Sequence, residues 1–170
     1  NLMPIINSKK IIVDIFKNET LFQEAKKVDY EMIIVAGGRG TRLMPLTKNV
    51  PKALIKVNGR PILEQIIENV RDCGFKNIII TTHYLSEKIT SYFKDGKQWG
   101  VNISYIHEKK PLGTAGSLGL IKKKINKPII VANGDVISDI NFSEILDYHN
   151  YHKADATMAV RIFERSNPFG

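Results

Sequence analysis

From Glu31 onward the chain alternates two hydrophobic patterns, and this alternation restricts the fold more than any other feature. Short apolar runs bounded by glycine or polar residues read as buried strands: "MIIVA" at 32–36, "NIIIT" at 77–81, "VNISYIHE" at 101–108, "PIIVANGD" at 128–135 and "DATMAVRIF" at 155–163. Segments with helical spacing lie between them. Pro61 opens "PILEQIIENVRDCG", where Ile62, Leu63, Ile66, Ile67 and Val70 share one face and Gly74 suits the position just past a helix end. Residues 86–96 read as a helix capped by Ser86, with Ile89 and Phe93 inward. Residues 113–125 read as a glycine-opened helix with a basic end, and 143–152 as a helix capped by Ser143. Strands alternating with helices specify an α/β fold, a mainly parallel sheet with helices on both faces. Ligands of such sheets bind beyond the carboxyl ends of the strands. Glycine or acid follows a strand at Gly37 to Gly40, Glu108 to Gly116 and Gly134-Asp135, and the topology places all three along one edge.

Residues 1–29 stand outside the alternation. "MPIINSKKIIVDIF" reads as two short strands around an Asn7-Ser8-Lys9 turn, and "TLFQEAKKV" (20–28) as a helix with Thr20 and Gln23 at capping-box spacing. Two strands and one helix are too little to bury a core. The expectation is a remnant of a preceding module at 1–29 and a main domain at 30–170, with both ends cut, since the last strand is followed by no closing element.

Composition narrows the partners. A net charge of +8 admits nucleic acid, an anionic membrane or a phosphorylated small molecule. The lysines are scattered, and the pairs and triplet at Lys9-Lys10, Lys26-Lys27, Lys109-Lys110 and Lys122 to Lys124 are not interleaved with aromatics, which disfavours nucleic acid. No apolar run approaches the roughly 18 residues that span a bilayer, and the N-terminus lacks the parts of a signal peptide, so no membrane partner and a cytoplasmic location are expected. The one cysteine, Cys73, reads as a reduced thiol near a helix end. His83, His107, His149 and His152 form no metal-spaced cluster and read as surface or core residues.

The glycine loop carries the chemistry. In "MIIVAGGRGTRLMPLT" the dinucleotide fingerprint lacks its third glycine, because Leu43 stands there, and a P-loop lacks its lysine-serine or lysine-threonine pair. A plain turn needs one or two glycines, not three flanked by two arginines. Glycines let backbone N–H groups approach phosphate oxygens as an anion-binding nest. Arg42 would then neutralise charge on departing pyrophosphate, and Lys52 would meet the phosphate under attack.

"GGRGTRLMPLT" followed by "VPKALIKVNGRPIL", "HEKKPLGTAGSLGLI" and "VANGDVISDINF" resembles, in that order over residues 31–170, the sugar-1-phosphate nucleotidylyltransferases, and most the mannose-1-phosphate guanylyltransferase branch. The resemblance implies a Rossmann-like nucleotide-diphospho-sugar transferase fold, truncated at its C-terminal end, with 30–170 as the nucleotide-binding part. It implies transfer of a nucleotidyl group from an NTP, GTP by preference, to a sugar 1-phosphate with release of pyrophosphate. Ala36, Gly37, Gly38, Arg39, Gly40, Thr41, Gly113 and Thr114 would bind the nucleotide, and Arg42 and Lys52 would be catalytic. Glu108, five residues before Gly113, would read the base, since a carboxylate only accepts hydrogen bonds and guanine presents two adjacent donors. Asp135 would hold Mg²⁺, a hard ion suited to carboxylate oxygen, while Asp139 reads as a helix-flanking residue. Trp99 resembles a position that packs the turn before a strand. Uridylyl, thymidylyl or cytidylyl transfer on the same fold, and a non-catalytic regulatory subunit, remain alternatives, and a homo-oligomer is left open. Residues 1–29 resemble the tail of a CBS module, a regulatory unit.

Overall fold

The computed structural model describes residues 2–6, 12–17 and 28–162. Strands β1 (Leu2–Ile6) and β2 (Ile12–Lys17) pair antiparallel, as the sequence predicts. The expected Asn7-Ser8-Lys9 turn lies outside the described residues, and so does the expected helix at 20–28 except for Val28. That residue instead begins β3 (Val28–Val35), whose first N–H donates to the Gly74 carbonyl at 3.1 Å. The sheet thus begins two residues ahead of the expected boundary at 29/30.

The main sheet comes from β3, β6 (Phe75–Thr82), β7 (Asn102–His107) and β8 (Ile129–Asn133), all parallel, in the spatial order β7-β6-β3-β8. Two-residue strands β4 (Lys56–Val57) and β5 (Arg60–Pro61) form a small antiparallel pair that leads into α1 (Ile62–Asp72). Helix α2 (Ser86–Phe93) joins β6 to β7, and α3 (Phe142–His152) follows β8. From β3 the chain steps outward to β6 and β7, then crosses to the far side of β3 to lay down β8. The order therefore reverses between β3 and β8, which is where open α/β sheets bind ligands.

The strands alternate faces, and the core follows that period. Met32, Ile34, Ile78, Ile80 and Ile103 share one cluster with Leu63, Ile67 and Val70 of α1, Ile89 and Phe93 of α2, and Phe142 and Leu146 of α3. All five apolar positions expected inward on α1 are buried, and Gly74 lies just past the helix at φ 92° with its N–H on the Arg71 carbonyl. Leu120, the last residue of a 3₁₀ turn at Gly116–Leu120, and the residues after it to Lys123 border a groove with Ile79, Ser104 and Ile106. Trp99 packs against Phe93 and Tyr92, as the sequence predicts.

Four local expectations need correction. Residues 113–125 form only the 3₁₀ turn. Gly113, Gly116 and Gly119 recur every third residue, and each glycine disfavours an α-helix by about 1 kcal/mol relative to alanine. Ser86 is the first residue of α2 and not its cap; Leu85 holds that position in the left-handed region, with no side-chain cap. Helix α3 is capped by Asn141, not Ser143: the Asn141 Oδ1 accepts the backbone N–H of Ser143 at 3.1 Å and of Glu144 at 3.4 Å. Residues 155–162 are not a strand. Met158, Val160 and Ile162 alternate as a strand would, but no described strand pairs with them and they stand exposed.

The cap assignment is testable. Asn141→Ala should lower stability by about 1 kcal/mol, whereas Ser143→Ala should cost less than half as much. Urea denaturation of both variants checks this, and equal losses would return the cap to Ser143.

Candidate active site

The segments that follow β3, β6, β7 and β8 meet beyond the carboxyl ends of these strands, joined by Lys52 and Ala53. They enclose a cleft of about 550 Å³, lined among others by Ala36, Gly37, Gly38, Arg39, Lys52, His83, Glu108, Gly113, Thr114 and Asp135. The edge is held in register past the last strand residues. The Ala36 N–H donates to the Thr81 carbonyl at 2.9 Å, Gly134 N–H to Val35 at 2.8 Å, and Glu108 N–H to Thr82 at 2.8 Å.

The glycine loop turns sharply as it leaves β3. Gly40 takes φ 63°, and a Cβ there would lie 2.9 Å from Thr47 Cγ2 and 3.1 Å from Lys52 Cβ. Glycine alone lets the loop fold back this closely. Fully buried Thr47 fastens the turn through its hydroxyl, which donates to the Gly40 carbonyl at 2.9 Å. The same fold-back brings Lys52 toward the cleft, where its ammonium donates to Asp135 Oδ2. Eighty-three positions separate these residues in the chain. Their side chains are 28% and 36% exposed, so the pair is solvent-accessible and open to exchange with an incoming ligand.

Glu108 differs. It is only 4% exposed although it lines the cleft. Its Oε2 accepts the Leu112 N–H at 3.2 Å, which ties the carboxylate to the Gly113-Thr114 loop. A Cβ on Gly37 would lie 3.1 Å from Oε1, so the absence of a side chain there lets the loop approach the carboxylate.

Of the sequence-predicted residues, Ala36, Gly37, Gly38, Arg39, Lys52, Glu108, Gly113, Thr114 and Asp135 line the cleft together. Gly40, Thr41 and Arg42 do not. Arg42 is exposed on the 3₁₀ turn Thr41–Leu43 directly after the loop. Arg39 sits with its guanidinium 5.8 Å from the centre of the Tyr84 ring, and the Tyr84 hydroxyl donates to the Lys48 carbonyl at 2.8 Å, so the region after the loop is braced on the start of α2. Sequence reasoning missed His83 and Asn133 as cleft residues. Both lie at or just past the carboxyl end of a strand, the rule that singled out the other segments. Asp139 is exposed three residues before α3, in keeping with a flanking role.

Among the described residues, no group of three or more His, Cys, Asp or Glu could hold a metal ion, and no helix is long and apolar enough to cross a membrane.

A cleft at the point of strand reversal in an open parallel sheet is what the fold and site define. Residues 31–170 match the sequence profile of the family described as Nucleotidyl transferase, and the chain belongs to that family. Over 142 residues it is 37% identical to the mannose-1-phosphate guanylyltransferase catalytic subunit beta of Xenopus tropicalis, covering 81% of this chain and 39% of the relative. It is 34% identical over 129 residues to the mannose-1-phosphate guanylyltransferase of Mycobacterium tuberculosis, covering 75% and 36%. The crystal structure of HddC from Yersinia pseudotuberculosis complexed with GMP-PN superposes with a TM-score of 0.62 at 29% identity, over 71% of this chain and 54% of that one. The chain spans about two-fifths of the length of the curated relatives it matches. Nucleotidyltransferases of this family generally use a divalent metal ion.

Proposed function

We propose that this chain forms the nucleotide-binding part of a cytoplasmic sugar-1-phosphate nucleotidylyltransferase that takes GTP by preference. The observation that carries this reading is the single cleft shared by the glycine loop, Lys52, Glu108 and Asp135. The similarity to two mannose-1-phosphate guanylyltransferases supports the choice of reaction and of base.

In this reading an oxygen of the sugar phosphate attacks the α-phosphorus of the NTP. A new P–O bond forms as the bond to the pyrophosphate bridging oxygen breaks, and pyrophosphate carries the charge away. The protein contributes position and electrostatics more than covalent chemistry. Backbone N–H groups of Gly37, Gly38 and Arg39, which line the cleft, cradle the triphosphate. Lys52 leaves Asp135 to meet the α-phosphate, and Arg42, on the turn that follows, takes charge on the leaving pyrophosphate. Asp135 fits a magnesium ion: it offers hard carboxylate oxygen in an accessible position, and magnesium is commonly held by one or two carboxylates with water and phosphate completing the shell. Such an ion would neutralise charge on phosphate oxygens. Arg39 closes over the bound nucleotide from its place beside Tyr84. We read the residues ahead of β3 as belonging to a CBS-like regulatory module, with Val28 and Asp29 part of the main sheet.

Glu108 supplies the base choice. A carboxylate offers about four lone-pair positions, so the hydrogen bond from Leu112 leaves room for guanine N1–H and the 2-amino group. Glu108→Gln replaces one acceptor by a donor and sets N–H against N–H. Discrimination for GTP should fall roughly ten- to a hundredfold. Pyrophosphate release from each of four NTPs, at fixed mannose 1-phosphate, tests both the reaction and the base. Wild-type preference for UTP or dTTP would overturn the guanine assignment, and no pyrophosphate release with any NTP over a panel of sugar 1-phosphates would overturn the enzymatic one.

A further inference from the structure

The sheet gives Glu108 little support of its own. Among the described residues β7 lies at the sheet's edge, and Glu108 follows its last residue. A strand end with a neighbour on one side only frays unless something ties it. The tie comes from the end of β6. Thr82 accepts the Glu108 N–H at 2.8 Å, and His83 Nδ1 lies 2.8 Å from the Glu108 carbonyl oxygen. A carbonyl only accepts, so Nδ1 carries the proton and donates. The ring lines the nucleotide cleft, and its backbone N and Cβ would sit 3.5 Å and 3.3 Å from a Cβ on Gly37, the residue against Glu108 Oε1. His83 therefore bonds the backbone of Glu108 and lies beside the loop that faces the carboxylate, leaving little space for a side chain at Gly37.

We infer that His83 is a positioning residue for base selection: its Nδ1–H holds the Glu108 backbone so that the carboxylate meets the base in one geometry. This rests on the reading of Glu108 as the base-contacting group. Loss of the imidazole frees the carbonyl and lets the β7 end shift, and a shift of an ångström at a recognition group is costly. Asparagine branches at the same carbon as histidine and places an amide N–H where Nδ1–H stands. Glutamine carries its amide one bond further out.

The test is equilibrium binding of GTP and of UTP to the full-length protein carrying His83→Ala, His83→Asn, His83→Gln or Glu108→Gln, with thermal melting to confirm folding. Binding is chosen so that selectivity is read whether or not turnover is seen. His83→Ala and His83→Gln should lower the GTP-to-UTP affinity ratio about tenfold or more, and His83→Asn should restore most of it. A merely structural histidine would weaken both nucleotides alike, and that outcome overturns the proposal. So does wild-type selectivity in His83→Ala, or in His83→Gln should the alanine variant not fold. If Glu108→Gln leaves the ratio unchanged, the reading of Glu108 is wrong and the role of His83 falls with it. If Glu108→Gln loses selectivity while the His83 variants keep it, only the role of His83 is overturned.

Discussion

Asp135→Ala is expected to lower pyrophosphate release more than about a hundredfold while leaving the fold intact. The residue sits two positions past β8, at the strand reversal, with its carboxylate in the cleft and paired with Lys52. In the proposed reaction it holds the divalent ion, and charge stabilisation of this kind is worth several kcal/mol, which is a hundredfold or more in rate. Its structural contribution is small by comparison, because an accessible ion pair contributes about 0–1 kcal/mol. The measurements are turnover across a Mg²⁺ titration and the melting temperature. A variant that keeps more than about a tenth of the wild-type rate would remove Asp135 from the metal site.

Lys52→Ala should be nearly as damaging, with a different kinetic signature. The ammonium that rests on Asp135 in the free cleft is assigned to the α-phosphate, whose charge distribution changes most as the transition state forms. Its removal should therefore lower kcat by about a hundredfold with a smaller change in KM for the nucleotide. A change confined to KM would mean that Lys52 binds ground and transition states equally, and the catalytic role would be wrong. Because the ion pair joins these two residues, their effects should not add. The double variant Lys52→Ala/Asp135→Ala should be about as slow as Asp135→Ala alone.

Much of this site was legible because one physical rule selects it. Parallel strands buried on both faces appear as apolar runs, and chemistry-bearing residues right after such runs share one edge. Gly37, Glu108 and Asp135 were found in this way, far apart in sequence but lining one cleft. His83 and Asn133 obey the same rule and were missed, because neither glycine nor acid marked them. Helix termini were less legible. Asn141 and Ser143 both carry capping side chains two residues apart, and only the backbone decides which oxygen faces the free N–H groups. Leu85 gave no signal, because a left-handed leucine has no side-chain pattern to announce it. At 113–125 the basic end and apolar spacing pointed to a helix, but the three glycines outweighed them. Residues 155–162 carry strand periodicity, which records which face of a strand would be buried and not whether a neighbour is there to pair with it.

The crossing of the chain from β7 to the far side of β3 has a consequence for how binding and order depend on each other. Glu31 to Val35 pair with Ile129 to Asn133, roughly a hundred positions later, so the wall of the cleft that bears Asp135 exists only while β8 is docked on β3. A nucleotide that touches both walls binds the docked arrangement and not the undocked one, and so shifts the balance toward docking by mass action. Amide hydrogens of β8 should therefore exchange more slowly when nucleotide is present. The ligand acts as a clasp on a joint between segments roughly a hundred positions apart.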